Sequence, residues 1–368
     1  MKFYCNKNEL VEKINIVQRA ITNKSNSPIF SCIFIQIDDN ILTMMGIDTD
    51  LSIETKVSAQ VLEKGKLLLD SRLFGEIIKR LPEEKIEIKN DKKDENNIII
   101  SSGNTEFSLI NLNSEEYPKI PKVDSNNKIS LKQNVFKNMI KSTTFSASFD
   151  ESKGVITGVL VNIKNNILTF VALDGFRLAL KSEIIDNNCN VNIVVPAKTL
   201  NEINKILKEN DELIDIYITN NFVMLKINED KIVLRLLQGD FIKYETIIPK
   251  ENKLSVVLSK YEFINGLERS TLLTKDKNTN LVKLEIKDDK IILKSNSQFG
   301  QLKEEIYIKK EGIDLDIAFN SRYLMDAVKA IEDEEIKIEF NNNITPCIIK
   351  SNKNENSKYM VLPVRFVI

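Results

Sequence analysis

The stretch 65-GKLLLDSRLFGEIIKRLPEEKIEIKND-91 reads as a short apolar strand, a helix opening after Asp70, and a second strand. The same order recurs in 191-VNIVVPAKTLNEINKILKENDELIDIYITNN-221 and 315-LDIAFNSRYLMDAVKAIEDEEIKIEFNNN-343, whose helices open after Pro196 and Asn320. The period is about 125 residues, the size of one domain. Two residues past each opening stand Arg72, Lys198 and Arg322; six past stand Glu76, Glu202 and Asp326; nine past stand Lys79, Lys205 and Lys329. Apolar residues at helical spacing (Leu73, Ile77, Leu81; Leu200, Ile203, Leu207; Leu324, Val328, Ile331) are expected to form the buried stripe behind this basic-edged face.

Other parts repeat as well. Residues 1–20, 128–147 and 253–273 each read as a strand running into a helix, with Lys7, Lys132 and Lys260 near the helix start. Alternating apolar stretches lie between the helices, and Asp-Asp-Asn, Lys-Asn-Asn and Lys-Asp-Asp mark hairpin turns inside them. The fold class is therefore α+β: three repeated domains, 1–122, 128–250 and 253–368, each with two helices packed on antiparallel sheet. The proline-bearing stretches 117-YPKIPKVDSNN-127 and 247-IIPKENK-253 read as linkers.

Of 368 residues, 42% are hydrophobic and 29% charged, an ordinary soluble balance, and no N-terminal or later window has signal-peptide or bilayer-spanning character. A cytoplasmic protein is expected. The four cysteines are scattered singly, so packed thiols are expected rather than a metal or redox site. The chain has no histidine, which removes His-dependent triads, His-ligated zinc and imidazole bases. Carboxylate chemistry survives: Asp48 and Asp50 stand two apart, and with Asp174 they leave a metal-dependent enzyme as an alternative, although no third clustered ligand or nucleophile accompanies the pair. A net charge of −1 argues against indiscriminate coating of nucleic acid, so any such contact must come from local placement of charge. An interaction scaffold that never touches DNA is the other alternative.

From its "MKF" start through 101-SSGNTEFSLINL-112, 172-ALDGFRLAL-180 and 236-LLQGDFIKYETIIP-249 to 359-YMVLPVR-365, the sequence resembles the bacterial DNA sliding clamps, the beta subunits of the replicative DNA polymerase III holoenzyme. The resemblance implies a head-to-tail homodimeric ring around duplex DNA, with no catalysis and no cofactor or metal, that tethers the replicative polymerase, the clamp loader and other proteins carrying a clamp-binding motif. Size agrees with two chains: helices about 10 Å across, twelve side by side, give a circumference of roughly 120 Å and a bore of about 28 Å, whereas six leave only about 10 Å, too narrow for a duplex roughly 20 Å wide.

In such a ring the DNA-facing residues would be Lys24, Arg72, Lys79, Lys132, Lys198, Lys205, Arg322 and Lys329, touching phosphates without reading bases. The resemblance further implies a partner-peptide pocket of Ile156, Leu173, Gly175, Phe176, Arg177, Leu178, Ile242, Thr246, Ile247, Ile344, Pro346, Met360, Leu362, Pro363, Val364 and Arg365. Phe176 and Thr246 stand where some relatives have polar and basic residues, so peptide preference is expected to differ. Pro363 within a central strand would forfeit a ladder hydrogen bond, which predicts an edge strand beside a groove. Phe107 and Leu109, with Leu272 and Leu273, match the family's dimer junction.

Overall fold

In the computed structural model, residues 1–21, 28–94, 96–123, 128–187, 189–274 and 280–365 are described. The first copy runs β1 (Lys2–Asn6), α1 (Lys7–Val17), β2 (Cys32–Asp38), β3 (Ile41–Ile47), β4 (Leu51–Glu63), β5 (Gly65–Asp70), α2 (Ser71–Arg80), β6 (Lys85–Asn90), β7 (Asn97–Ser102) and β8 (Thr105–Ile110). The second repeats it as β9 (Lys128–Lys132), α3 (Gln133–Lys141), β10 (Gly158–Lys164), β11 (Ile167–Leu173), β12 (Arg177–Ile184), β13 (Val191–Pro196), α4 (Ala197–Ile206), β14 (Leu213–Ile218), β15 (Phe222–Ile227) and β16 (Asp230–Arg235). The third has β17 (Leu254–Ser259), α5 (Lys260–Thr274), β18 (Leu281–Lys287), β19 (Lys290–Ser297), β20 (Gly300–Tyr307), an extra β21 (Lys309–Gly312), β22 (Leu315–Asn320), α6 (Ser321–Lys329), β23 (Glu335–Phe340), β24 (Cys347–Ser351) and β25 (Ser357–Val361).

By compactness the chain falls into two units, Met1–Val135 with Glu202–Leu236, and Phe136–Asn201 with Leu237–Ile368. In the first unit the sheet runs β8-β7-β6-β1-β4-β16-β15-β14-β9, and β2, β3 and β5 branch from β4. In the second, one sheet runs β13-β10-β11-β12-β25-β24-β23-β17-β21 and a smaller one β20-β19-β18-β22. The hairpins expected from composition are present. Asp39 and Asn40, like Asn165 and Asn166, hold positive φ, the pair of left-handed residues that a two-residue turn between twisted strands needs.

The helices begin where the sequence places them. Asp70 accepts from Leu73 N at 2.7 Å, and Asn320 accepts from Arg322 N at 3.0 Å, each satisfying a donor the first turn leaves free. The buried stripe differs from expectation at one residue: Leu73 is 50% exposed, while Phe74 is fully buried. Counted from the helix opening, Phe74, Leu200 and Leu324 are equivalent and all buried, whereas Leu73 aligns with Thr199 and Tyr323.

The lysines at the start of the first helices also separate. Lys7 and Lys260 are equivalent first residues of α1 and α5, and their ammonium groups donate to the carbonyls of Leu81 and Ile331, capping the ends of α2 and α6. Lys132 lies one position earlier, at the end of β9. Its equivalent in register is Gln133, whose Oε1 accepts from Lys208 N at 2.9 Å.

The fourth strand of one copy pairs with the last strand of the next, twice over. β4 pairs β16 with Leu51 opposite Leu234, Ile53 opposite Ile232 and Glu54 opposite Lys231. β12 pairs β25 with Arg177 opposite Val361, Ala179 opposite Tyr359 and Leu180 opposite Lys358. In both, the first residue of the fourth strand faces the fifth of the last strand. The same positions carry the core at both junctions: Ile53, Ile232 and Ala179 are fully buried and Tyr359 is 1% exposed.

On the sheet face away from the helices, each of the first two copies buries an apolar patch under the connector that leaves it. Tyr117 stacks on Phe34 at 5.2 Å above Ile47 and Leu68, and its hydroxyl donates to Met45 O. Tyr244, with Phe241 and Ile248, packs on Leu160, Val171, Leu173 and Val194. In the third copy Lys283 and Lys294 stand where the other copies have Phe34 and Met45 or Leu160 and Val171, and they interlock at 2.7–2.9 Å with Glu285 and Asp316, whose positions are polar in all three copies. Lys294 and then Lys283 hold the Glu285 carboxyl down to about 2.

Candidate nucleic-acid interface and partner pocket

Each candidate basic residue was followed to its surroundings. Arg72, Lys198 and Arg322 are exposed near the start of α2, α4 and α6. The lysines two turns further on are engaged. Lys205 meets Glu202 at 2.7 Å and Lys329 meets Glu268 at 2.8 Å, while Lys79 approaches Glu76 at 3.9 Å. Lys132 pairs with Asp211 at 2.9 Å across from β9. Lys24 lies outside the described residues. The free cations at each helix start are thus backed by compensated pairs, which keeps the local field modest and strongly salt-dependent. Asp326 departs from the pattern, because Arg177 occupies it at 2.6 Å.

The pocket residues divide between two faces of the sheet. The Asp174 carboxylate accepts from the backbone N–H groups of Phe176 (2.9 Å) and Arg177 (3.1 Å), and with Gly175 at φ 95° this shapes the turn from β11 to β12. Strand alternation then sends Arg177 and Leu178 to opposite faces. Leu178 joins Leu173, Met360 and the partly buried Ile156 in the apolar patch under the connector. Arg177 turns to the helix side, where its guanidinium binds Asp174 at 3.0 Å and Asp326, and lies over the Tyr323 ring at 4.4 Å. It anchors β12 to α6, and it shares the Tyr323 ring with Phe176 of the expected pocket.

The tail is corrected too. β25 sits centrally between β12 and β24, and it ends at Val361, so Pro363 lies beyond the strand and breaks no ladder. Backbone bonding resumes on either side of the proline: Leu362 N donates to Phe176 O at 2.9 Å and Val364 N to Ala318 O at 2.8 Å. Around this tail Phe176 (57% exposed), Ile242, Ile247, Ile344 and Val364 present apolar surface to solvent. Thr246 and Arg365 are exposed and Pro346 is half-buried. Sequence reasoning missed the floor of the patch, Leu160, Val171, Val194 and Ile348, and Tyr323, which stacks with Phe176 at 6.4 Å. The alternation of apolar residues along β10 and β11 carries that signal.

Two of the three carboxylates considered for metal chemistry are otherwise employed. Asp48 accepts from Thr49 N at 2.7 Å and Asp174 is neutralised by Arg177. Among the described residues no group of three His, Cys, Asp or Glu side chains could hold a metal.

Of the strands that end the sheets, β8 and β20 are the last strand of the first copy and the fourth strand of the third. β8 ends the sheet of the first unit and shows Phe107 (38% exposed), with Leu109 half-buried; β20 ends the smaller sheet of the second, near Leu272 (67% exposed) and the half-buried Leu273. An unpaired strand with exposed apolar side chains is a template for another strand.

A fold of three copies, with exposed cations at equivalent helix starts and an apolar patch at the tail, defines a class of α+β proteins built from one domain three times over. Residues 1–121, 130–243 and 245–365 match, in order, the N-terminal, central and C-terminal domains of the DNA polymerase III beta subunit. The chain is 33% identical to the beta sliding clamp of Bacillus subtilis (strain 168) over 99% of its length and all of that protein, and 32% identical to that of Staphylococcus aureus (strain N315) over 99% of each. The crystal structure of the Bacillus subtilis DNA polymerase sliding clamp superposes with a TM-score of 0.95 at 33% identity, and that of the DNA polymerase III beta subunit from Thermotoga maritima with 0.93 at 28%, each over 100% of both chains. The chain belongs to the family of bacterial beta sliding clamps, the beta subunit of DNA polymerase III.

Proposed function

We propose that two copies of this chain close head to tail into a ring that encircles duplex DNA and tethers the replicative polymerase, without catalysis of its own, in the bacterial cytoplasm. The observation that carries the reading is the twice-built junction. Fourth strand pairs with last strand from β4 to β16 and from β12 to β25, which leaves β20 and β8 as the one unused pair of each kind. A second copy supplies both missing partners at once and leaves no open edge of this kind. Six domains, 1–122, 128–250 and 253–368 from each chain, then share the circle.

In that ring Arg72, Lys198 and Arg322 are the primary phosphate contacts, and Lys24, Lys79, Lys132, Lys205 and Lys329 are secondary. Leu173, Leu178, Met360 and Leu362, rimmed by Phe176, Ile242, Ile247, Ile344 and Val364, receive the linear motif of the polymerase, the loader and other partners. Retention tests the whole: the chain, loaded by its clamp loader, should remain on circular DNA through gel filtration and slide off the same DNA after linearisation. Equal loss from both forms would refute encirclement.

A further inference from the structure

The register of the chain-to-chain junction can be deduced from the two junctions within the chain, and it shows a specificity device. The inference rests on the head-to-tail reading. At both internal junctions the fifth residue of the last strand faces the first of the fourth strand. Carried to β8 and β20, this places Leu109 opposite Gly300, Phe107 opposite Leu302, and Glu106 opposite Lys303. Phe107 then takes the place held by the buried Ile232 and Tyr359, which explains why so large a ring is 38% exposed in one chain.

The charged position is the informative one. At the first internal junction it is filled by Lys231 on the last strand and Glu54 on the fourth, 3.1 Å apart. At the open edges the same position carries the opposite polarity, Glu106 on the last strand and Lys303 on the fourth. Both side chains are exposed, and Lys303 holds Glu305 at 3.3 Å along its own strand, a solvent-exposed pair that leaves its ammonium able to take an acid arriving at the open edge.

We propose that this reversed ion pair sets the identity of the chain-to-chain junction: β8 docking on a β4 edge would face Glu106 with Glu54, and β16 docking on a β20 edge would face Lys231 with Lys303. Strands of the two junctions, alike in the apolar residue at their third position, are thereby kept from exchanging, and closure by a second copy is favoured over open, swapped assemblies.

The test is a charge exchange read by sedimentation. Glu106→Lys and Lys303→Glu should each raise the dimer dissociation constant by about tenfold, and the double exchange should restore it to within about twofold. Single variants as tight as the unaltered chain, or a double variant no better than the singles, would overturn the proposal. A second measurement fixes the register directly. Ser108→Cys with Gln301→Cys, opposite each other in this register, should oxidise to a covalently closed dimer, whereas Ser108→Cys with Lys303→Cys should not; preferential closure of the offset pair overturns the register. If the unaltered chain is monomeric at every concentration, it is the head-to-tail reading itself that fails.

Discussion

Leu272→Ala should loosen the ring by an amount set by how often the contact is used. Leu272 is the thirteenth residue of its helix, the place that Arg19 holds after α1, and Arg19 reaches Glu202 of α4 at 3.6 Å. By the same repetition Leu272 would meet the α2 surface of a partner copy, where Leu73 is 50% exposed in the single chain. Fully burying a leucine side chain is worth about 1.5–3 kcal/mol, and two thirds of Leu272 is available to bury, so each junction loses about 1–2 kcal/mol. A two-fold ring contains two such junctions, and the loss per dimer doubles to about 2–4 kcal/mol, or roughly 30- to 1,000-fold in dissociation constant. Sedimentation velocity of a fluorescent chain over a dilution series measures this. A heterodimer of one variant and one unaltered chain should show half the free-energy change, because one junction is intact. An unchanged dissociation constant, or a heterodimer as weak as the variant homodimer, would refute the reasoning.

Reversing Arg72, Lys198 and Arg322 to Glu should lower loading on circular DNA and flatten its dependence on salt while sedimentation still reports a dimer; each lost phosphate contact removes about 0.9 from the slope of log affinity against log salt. Leu362→Ala with Pro363→Ala should weaken binding of a polymerase peptide ending in Leu-Phe by about 2 kcal/mol, measured by calorimetry, with dimerisation unchanged. For Glu285 the folded carboxyl titrates at about 2, below its ordinary value of 4.5, so its ion pairs contribute stability above the unfolded value that is lost as pH falls towards the folded one. The melting temperature of the Glu285→Gln variant should therefore fall less than that of the unaltered chain between pH 5 and about 2, where a parallel fall would show that the cluster is not linked to folding.

The helix pattern was legible because it rests on local spacing: openings after Asp70, Pro196 and Asn320 and the recurrent basic positions follow from the residues alone. Register and facing are harder to read. An apolar side chain one place early, as at Leu73, looks like a core residue on a helical wheel, and Lys132 resembles Lys7 and Lys260 although Gln133 holds their place. Proline in the tail suggests an edge strand, but the strand ends before Pro363 is reached and lies centrally. The pairing of β4 with β16 and of β12 with β25 was out of reach, since strands so far apart in sequence carry no local mark of their partner.

The charged face of the third copy bears on how a chain of this kind can grow. A repeat that is followed by another can leave its outer face apolar, because the connector to the next repeat covers it, as Tyr117 and Tyr244 do. The third repeat differs, because Lys283, Glu285, Lys294 and Asp316 give this face a finish that water tolerates. A fourth repeat appended by gene duplication would lay its connector on paired charges that it cannot desolvate cheaply. The face is in this sense selective about its cover, and a connector could settle on it only after those charges were rewritten.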